Sequence, residues 1–479
     1  MRSSLGGFIA VCLLALSLRA AGPSPAPAPA PQTLTVPTFG EVTLYKPARP
    51  AEQVVLFISG DGGWNLGVVS MAERLRDQGA LVVGIDVRRF IRSLDASPTC
   101  AYPAGSLEDL SKAVQLHERL PRYIRPMLVG YSSGATLVYA ALAAAPPESF
   151  AGAISLGFCP DLEIRTPLCL MRGLRATPRA RGVGSDLMPY PGLQVPWMVL
   201  QGEQDQVCAP AATRAFVART GQARLFSLPK VGHGFGVPRN WDPEFIEAYR
   251  AIGAARGLAE APRRASAPGT SAPTEVSDLD LVELPVPPGV AGDTMAVVLS
   301  GDGGWAEIDK AVAAGLESAG IPVVGWSSLD YYWTPRTPDA AATDLARVIE
   351  HYSSAWRRPR VILVGYSFGA DVLPFLINRL PVTTRARVSR VGLLGLSDTA
   401  AFTFHVSSWL GGGGDPAHAT APEVRRLRAP VVCIYGSDES DSPCTALTSA
   451  TVTAVSVGRG HHFSGEYDRV VRAILGERR

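Results

Sequence analysis

Two serines sit in the pattern Gly-x-Ser-x-Gly: Ser132 between Gly130 and Gly134, and Ser367 between Gly365 and Gly369. Each follows an apolar run, "RPMLVG" or "RVILVG", and opens a helix-like stretch, "YSSGATLVYAAL" or "YSFGADVLPFLI". At such a strand-to-helix break a serine can be held in a strained turn, its hydroxyl standing above a sheet while glycines let neighbouring backbone pass closely. A tight turn with a capping serine would use the same residue types. A serine hydroxyl is a poor nucleophile until a base takes its proton, so a histidine and an orienting carboxylate must follow in the chain.

Both copies supply them. After Ser132 come "LQGEQDQVC" with Asp205 and "VGHGFG" with His233; after Ser367 come "IYGSDESDSPC" and "RGHHFSG". The acid after a late strand and the histidine near the end is the order of α/β-hydrolases. Two anchors compete for the second acid. Aligning Cys208 with Cys444 selects Asp441, and the serine-to-acid spacings agree, 73 positions against 74. Aligning Gly202 with Gly436 points nearer Asp438. The cysteine anchor is preferred, with Asp438 as the alternative. Gly232–His233 aligned with Gly460–His461 selects His461 over His462.

A hydrolytic serine also needs donors for the oxyanion formed when it attacks a carbonyl. One is the N–H after the nucleophile, Phe368 or Ser133; the other comes from a glycine-rich turn after an early strand. "SGDGGW" occurs in that place twice, at 59–64 and 300–305. The N–H groups of Asp302 and Gly303 are the expected donors, with Asp61 and Gly62 in the first copy. A plain strand–helix turn, with Trp64 and Trp305 packed on the sheet, is the rival reading.

Positioning these groups requires two similar domains. In each copy apolar strands alternate with amphipathic helices, which means a mostly parallel sheet flanked by helices. The chain reads as two tandem α/β-hydrolase domains from an internal duplication, at 34–254 and 279–479, joined by a linker at 255–278. Residues 1–22 read as a signal peptide, with Arg2 before the apolar "GGFIAVCLLALSL", and 23–33 as a Pro/Ala tether. With 45 Lys+Arg against 43 Asp+Glu, charge offers no basic face for nucleic acid. Oligomeric state is not legible. Removing the signal peptide leaves six cysteines, an even number that suggests disulfides in an exported chain. Cys433–Cys444 is the pairing available in the second half. In the first half three connectivities exist, and Cys159–Cys169 with Cys100–Cys208 is the expectation. No cysteine spacing resembles a metal site.

The motifs "SGDGGW", "DYYWTPRTPD", "GYSFGADVLPFLINRLP" and "GHHF" resemble the AcvB/VirJ family of bacterial proteins, most strongly across 294–380. The resemblance implies a periplasmic serine hydrolase that removes the aminoacyl group from lysyl-phosphatidylglycerol at the membrane surface, without metal or cofactor. It also implies links to virulence and to type IV secretion proteins as partners. Carried over, the nucleophile is Ser367, the turn 300–305 and the base His461. The loop beginning Asp330, Tyr331, Tyr332, Trp333 is suited to a cationic head group through carboxylate and cation–π contact, and Asp371 beside the elbow adds a carboxylate. Packing under a lid is the other reading of those aromatics. The first copy has "RRFIRSLDASPTCAYPAG" in place of that loop but keeps Ser132, Asp205 and His233. A carboxylesterase or dienelactone-hydrolase-like enzyme on soluble esters, and a non-catalytic periplasmic secretion adaptor, are the competing functions.

Overall fold

A computed structural model describes residues 28–260, 276–404 and 418–477. The signal-peptide reading falls outside these residues. In the first half β1 (Gln32–Val36) and β2 (Gly40–Tyr45) form a hairpin, followed by β3 (Gln53–Ile58), β4 (Ala80–Ile85), β5 (Met127–Tyr131) and β6 (Gly152–Leu156). A small three-stranded sheet, β7 (Asp161–Leu162), β8 (Ala176–Pro178) and β9 (Ser185–Leu187), precedes β10 (Trp197–Gly202) and β11 (Ala223–Leu228). The main sheet runs β1-β2-β4-β3-β5-β6-β10-β11, parallel from β4 onward.

The second half repeats the plan. Its strands are β12 (Leu281–Leu284), β13 (Thr294–Leu299), β14 (Val323–Trp326), β15 (Arg360–Tyr366) and β16 (Val388–Leu394). The short pair β17 (Thr399–Ala400) and β18 (His418–Ala419) follows, then β19 (Val431–Tyr435) and β20 (Val452–Ser456). The sheet order is β12-β14-β13-β15-β16-β19-β20, parallel from β14 onward. The sequence β4-β3-β5-β6-β10-β11 thus recurs strand for strand as β14-β13-β15-β16-β19-β20. Both halves have the α/β-hydrolase fold.

The central strands are apolar along their whole length because both faces are covered. β3 ("QVVLFI") is buried after its first residue, as is β13 ("TMAVVL"). Each sheet separates two apolar clusters, one per face. The helices used below are α1 (Leu66–Asp77), α2 (Val87–Leu94), α3 (Pro103–His117) and α4 (Ser133–Ala144), then α5 (Pro210–Val217) and α6 (Asp242–Glu260). In the second half they are α7 (Glu307–Ser318), α8 (Ser328–Tyr331), α9 (Pro338–Ala355) and α10 (Phe368–Arg379). β1 begins inside the stretch read as a tether, and α6 continues to Glu260, inside the stretch read as a linker. Val276 is already buried in the second core. Among the described residues no helix is long and apolar enough to cross a membrane.

The disulfides are Cys100–Cys169, Cys159–Cys208 and Cys433–Cys444. The last agrees with the expectation; the first two correct it. A backbone bridge pairs Ala101 with Leu168, and Cys169 N–H donates to Ala101 O at 2.9 Å, which puts Cys100 beside Cys169. Cys159 and Cys208 follow β6 and β10, which are adjacent parallel strands. Neighbouring strand ends, far apart in sequence, decided the pairing.

Candidate active site

Both serines stand where β5 and β15 break into α4 and α10, with left-handed φ of 55° at Ser132 and 50° at Ser367. A non-glycine residue there is strained, and the surroundings enforce it. Ser132 N–H donates to Leu156 O at 2.9 Å and Ser367 N–H to Leu394 O at 2.8 Å. The glycines are sterically required. A Cβ on Gly130 would lie 2.2 Å from Gly134 O, and one on Gly365 would lie 2.4 Å from Gly369 O.

In the first domain the three groups meet. Ser132 Oγ is 3.0 Å from His233 Nε2, and His233 Nδ1 is 2.9 Å from Asp205 Oδ2. Burial alone would raise the Asp205 carboxyl. The hydrogen bonds from His233 and from the N–H groups of Cys208 and Val207 outweigh it and hold the acid below its ordinary range. Gln201 Nε2 donates to the same carboxylate at 3.0 Å. The Cys159–Cys208 bridge therefore ends next to a donor that fixes Asp205.

In the second domain His461 Nδ1 is 2.7 Å from Oε1 of Glu439. Neither expected aspartate fills that place. Asp441 is exposed, and Asp438 accepts from Gly460 N–H and Arg459, tying down the histidine loop and holding its own pKa low, chiefly through Gly460. The carboxylate that meets His461 is a glutamate, at the position the glycine anchor selects. Asp205 stands three residues after Gly202, and Glu439 three after Gly436. The cysteine anchor fails because Cys208 bonds to Cys159 after the neighbouring strand β6, whereas Cys444 bonds to Cys433 on β19, the strand that leads into its own loop. Those cysteines are not equivalent. Among the described residues no hydrogen bond joins Ser367 to His461, and the His461 side chain is 40% exposed against 18% for His233.

The "SGDGGW" turns lie against the elbows. A Cβ on Gly60 would be 3.0 Å from Ser132 Cβ, and one on Gly301 would be 3.4 Å from Ser367 Cβ. Each turn closes on itself, Gly63 N–H to Gly60 O at 2.8 Å and Gly304 N–H to Gly301 O at 3.2 Å. Among the described residues the N–H groups of Asp302 and Gly303 make no backbone hydrogen bond. The tryptophans do pack on the sheet: Trp64 covers Gly84 and Trp305 covers Gly325, where a Cβ would overlap the rings. Behind the second turn, burial pushes Asp309 up to about 8 although the N–H groups of Ala306 and Gly301 pull it down.

The profile of the family described as bacterial virulence protein (VirJ) matches residues 52–154 and 293–479. The chain belongs to this family. Its second domain is matched through Glu439 and His461, whereas in the first domain the match takes in Ser132 but stops before Asp205 and His233. No curated protein matches the chain. Solved structures similar to it include an α/β serine hydrolase without lid from Xanthomonas campestris, 22% identical over 48% of this chain and 94% of that one, TM-score 0.30. A dienelactone hydrolase from Anabaena variabilis is 18% identical over 46% and 95%, TM-score 0.32. The esterase domain of a Rhodothermus marinus protein is 15% identical over 47% and 98%, TM-score 0.32.

The family's aromatic loop takes a different place from that expected. Tyr331, Tyr332 and Trp333 are 7%, 1% and 4% exposed and belong to the second core, so their faces are not open to a cationic head group. Tyr331 donates to Asp344 at 2.6 Å, Tyr332 packs on Phe368, and Trp333 Nε1–H donates to Leu120 O in the first domain at 2.8 Å. Asp330 is exposed. Asp371 accepts from Ser397 N–H at 2.7 Å, and burial pushes it up to about 7. Two further pairs escaped notice in the sequence. Tyr131 and Tyr366, one before each serine, donate to the carbonyls of His233 (3.0 Å) and His461 (3.4 Å). Gly157 and Gly395, after β6 and β16, leave room for the imidazoles, a Cβ on Gly395 lying 2.6 Å from the His461 ring. The signal for the tyrosines is their shared place before each serine; for the glycines it is their place directly after β6 and β16.

Proposed function

We propose that the protein is a periplasmic serine hydrolase that cleaves the aminoacyl ester of lysyl-phosphatidylglycerol at Ser367, with Ser132 the nucleophile of a second ester-cleaving site. The observation that carries the hydrolytic reading is the unbroken Ser132–His233–Asp205 hydrogen-bonded chain. The pair His461–Glu439 beside an equally strained serine supports it in the second domain. The lipid substrate and the link to virulence and type IV secretion come from the family resemblance. Three disulfides and the signal-like N-terminus favour export.

In the proposed reaction Ser367 Oγ bonds to the ester carbonyl carbon as His461 Nε2 takes the hydroxyl proton. Glu439 holds the imidazole in the needed tautomer and stabilises its positive charge. The carbonyl electron pair moves onto oxygen, which the N–H groups of Phe368, Asp302 and Gly303 receive. Collapse breaks the bond to the glycerol oxygen, which leaves with the proton from His461. Water then repeats the sequence, releasing the amino acid and restoring Ser367. The first domain has no counterpart of the "YYWTPRTP" stretch in its sequence, and the Ser132 site is therefore given a different acyl preference.

The test is lysine release from vesicles containing lysyl-phosphatidylglycerol by Ser367→Ala and Ser132→Ala proteins. Loss of a nucleophile typically costs several powers of ten, so Ser367→Ala should release lysine at least ~1,000-fold more slowly while Ser132→Ala stays near the parent. Normal release by Ser367→Ala would remove that serine from its role.

A further inference from the structure

The same turn is braced differently in the two copies. In the first domain the Asp61 carboxylate accepts from the Ser133 hydroxyl at 2.7 Å, a bond internal to that domain. The second domain has Phe368 at that position, with its ring packed on Tyr332 and Phe404. Asp302, the counterpart of Asp61, meets instead Lys112 Nζ at 3.2 Å, and Lys112 belongs to α3 of the first domain. This contact has company. Trp333 bonds to Leu120 and stacks near Tyr123 at 5.3 Å, Arg172 pairs with Glu307 at the start of α7, and Lys310 pairs with Glu148. The first domain thus sits over the end of the second sheet where Ser367 stands.

Lys112 is placed at some cost. Its side chain is 4% exposed while its partner Asp302 is 52% exposed. Withdrawing an ammonium from water is expensive unless it is paired. Burial acts against the charge, but Asp302, Glu108 and Asp109 outweigh it and keep Lys112 protonated. An interface needing only adhesion could use apolar residues at that position of α3. A cation carried to the carboxylate of the residue whose N–H should face the oxyanion has a more specific use.

We propose that the first domain is a working part of the second domain's site: Lys112 is a positioning residue that, through Asp302, fixes the 300–305 turn against Ser367. The proposal rests on the reading of Ser367 as nucleophile. A misplacement of about 1 Å near reacting groups can cost roughly a hundredfold in rate, so the clamp should show in reactivity.

The test uses the full two-domain chain with Ser132→Ala, so that Ser367 alone reports. Two readouts are taken: hydrogen exchange of the 300–307 peptide, where Gly304 and Ala306 N–H groups are bonded, and the rate at which a fluorophosphonate probe labels Ser367. Lys112→Met should speed exchange and slow labelling at least tenfold, while Lys112→Arg stays within about threefold of the parent. Asp302→Asn, which alters a half-exposed side chain, should reproduce the loss, and adding Lys112→Met to it should cost less than a further twofold. Unchanged exchange in Lys112→Met overturns the clamp. Faster exchange with unchanged labelling overturns its role in reactivity. Should Lys112→Met fail to fold, parent-like labelling of Asp302→Asn overturns the proposal by itself. Absence of labelling with Lys112 intact would instead sink the nucleophile reading, and exchange would still decide the clamp.

Discussion

Replacing Glu439 by glutamine separates the acid that the fold brings to His461 from its aspartate neighbours. Glu439 spans two partners, His461 Nδ1 at 2.7 Å and Gly436 N–H at 2.7 Å. A glutamine can keep its carbonyl on Gly436 only by turning its NH₂ toward Nδ1. That stabilises the tautomer with the proton on Nε2, where it cannot accept from serine. In a buried triad the equivalent change costs about 10⁴ in rate. Here Glu439 and His461 are 18% and 40% exposed, so water replaces part of the lost interaction. A loss of roughly 10²–10³, about 3–4 kcal/mol in barrier, is expected. Asp441→Asn should change the rate by less than about twofold, since that side chain is exposed and does not meet the imidazole. The assay is lysine release and probe labelling at Ser367 in Ser132→Ala protein. A hundredfold loss in Asp441→Asn, with Glu439→Gln within threefold of the parent, would refute the assignment.

Two further outcomes follow from the packing. Asp309 has a folded pKa pushed up to about 8 against an unfolded value near 3.8. Between those values the folded state binds the extra proton, so its stabilising share is complete below pH ~4 and is lost as pH rises toward 8. The apparent Tm of Asp309→Asn should therefore gain on the parent by at least ~1 kcal/mol equivalent between pH 4 and pH 8, and a pH-independent difference would contradict this. The Cys159–Cys208 bridge closes a separation of 49 residues, worth about 4 kcal/mol in unfolded-state entropy at most, and its end donates to Asp205. The double variant Cys159→Ser/Cys208→Ser in Ser367→Ala protein should lower the apparent Tm and slow labelling of Ser132 at least tenfold. Labelling at the parent rate would deny the bridge any part in holding the acid.

What could be read in advance was whatever depends on local pattern. Apolar runs alternating with amphipathic stretches announce parallel strands and covering helices. Gly130 and Gly365 announce the elbows because only a residue without Cβ fits against Gly134 and Gly369. The histidines followed from their glycine neighbours. Glu439 was missed because the two acid loops have different lengths between glycine and cysteine, and only the disulfides show that Cys208 and Cys444 are not equivalent anchors. Tyr331, Tyr332 and Trp333 have the composition of a ligand cage, yet burial turned them inward. Composition does not distinguish an aromatic lining from an aromatic core. The Lys112–Asp302 contact spans 190 positions and two domains, and no periodicity could reveal it.

The two copies have diverged in a complementary manner. The first holds its site with its own parts: Ser133 on Asp61, Cys208 N–H on Asp205, and His233 on both serine and acid. The second has at 368 a ring packed against its core in place of that hydroxyl, and its turn meets a lysine from the first. A duplication that merely doubled an activity would leave each domain indifferent to the other. Under the proposed clamp the first domain also serves as scaffold for its neighbour, so selection acting on reactivity at Ser367 would act on α3 as well. The contacts are asymmetric: the turn beside Ser132 is braced from within its own domain, whereas the turn beside Ser367 meets a buried lysine carried on a helix of its neighbour.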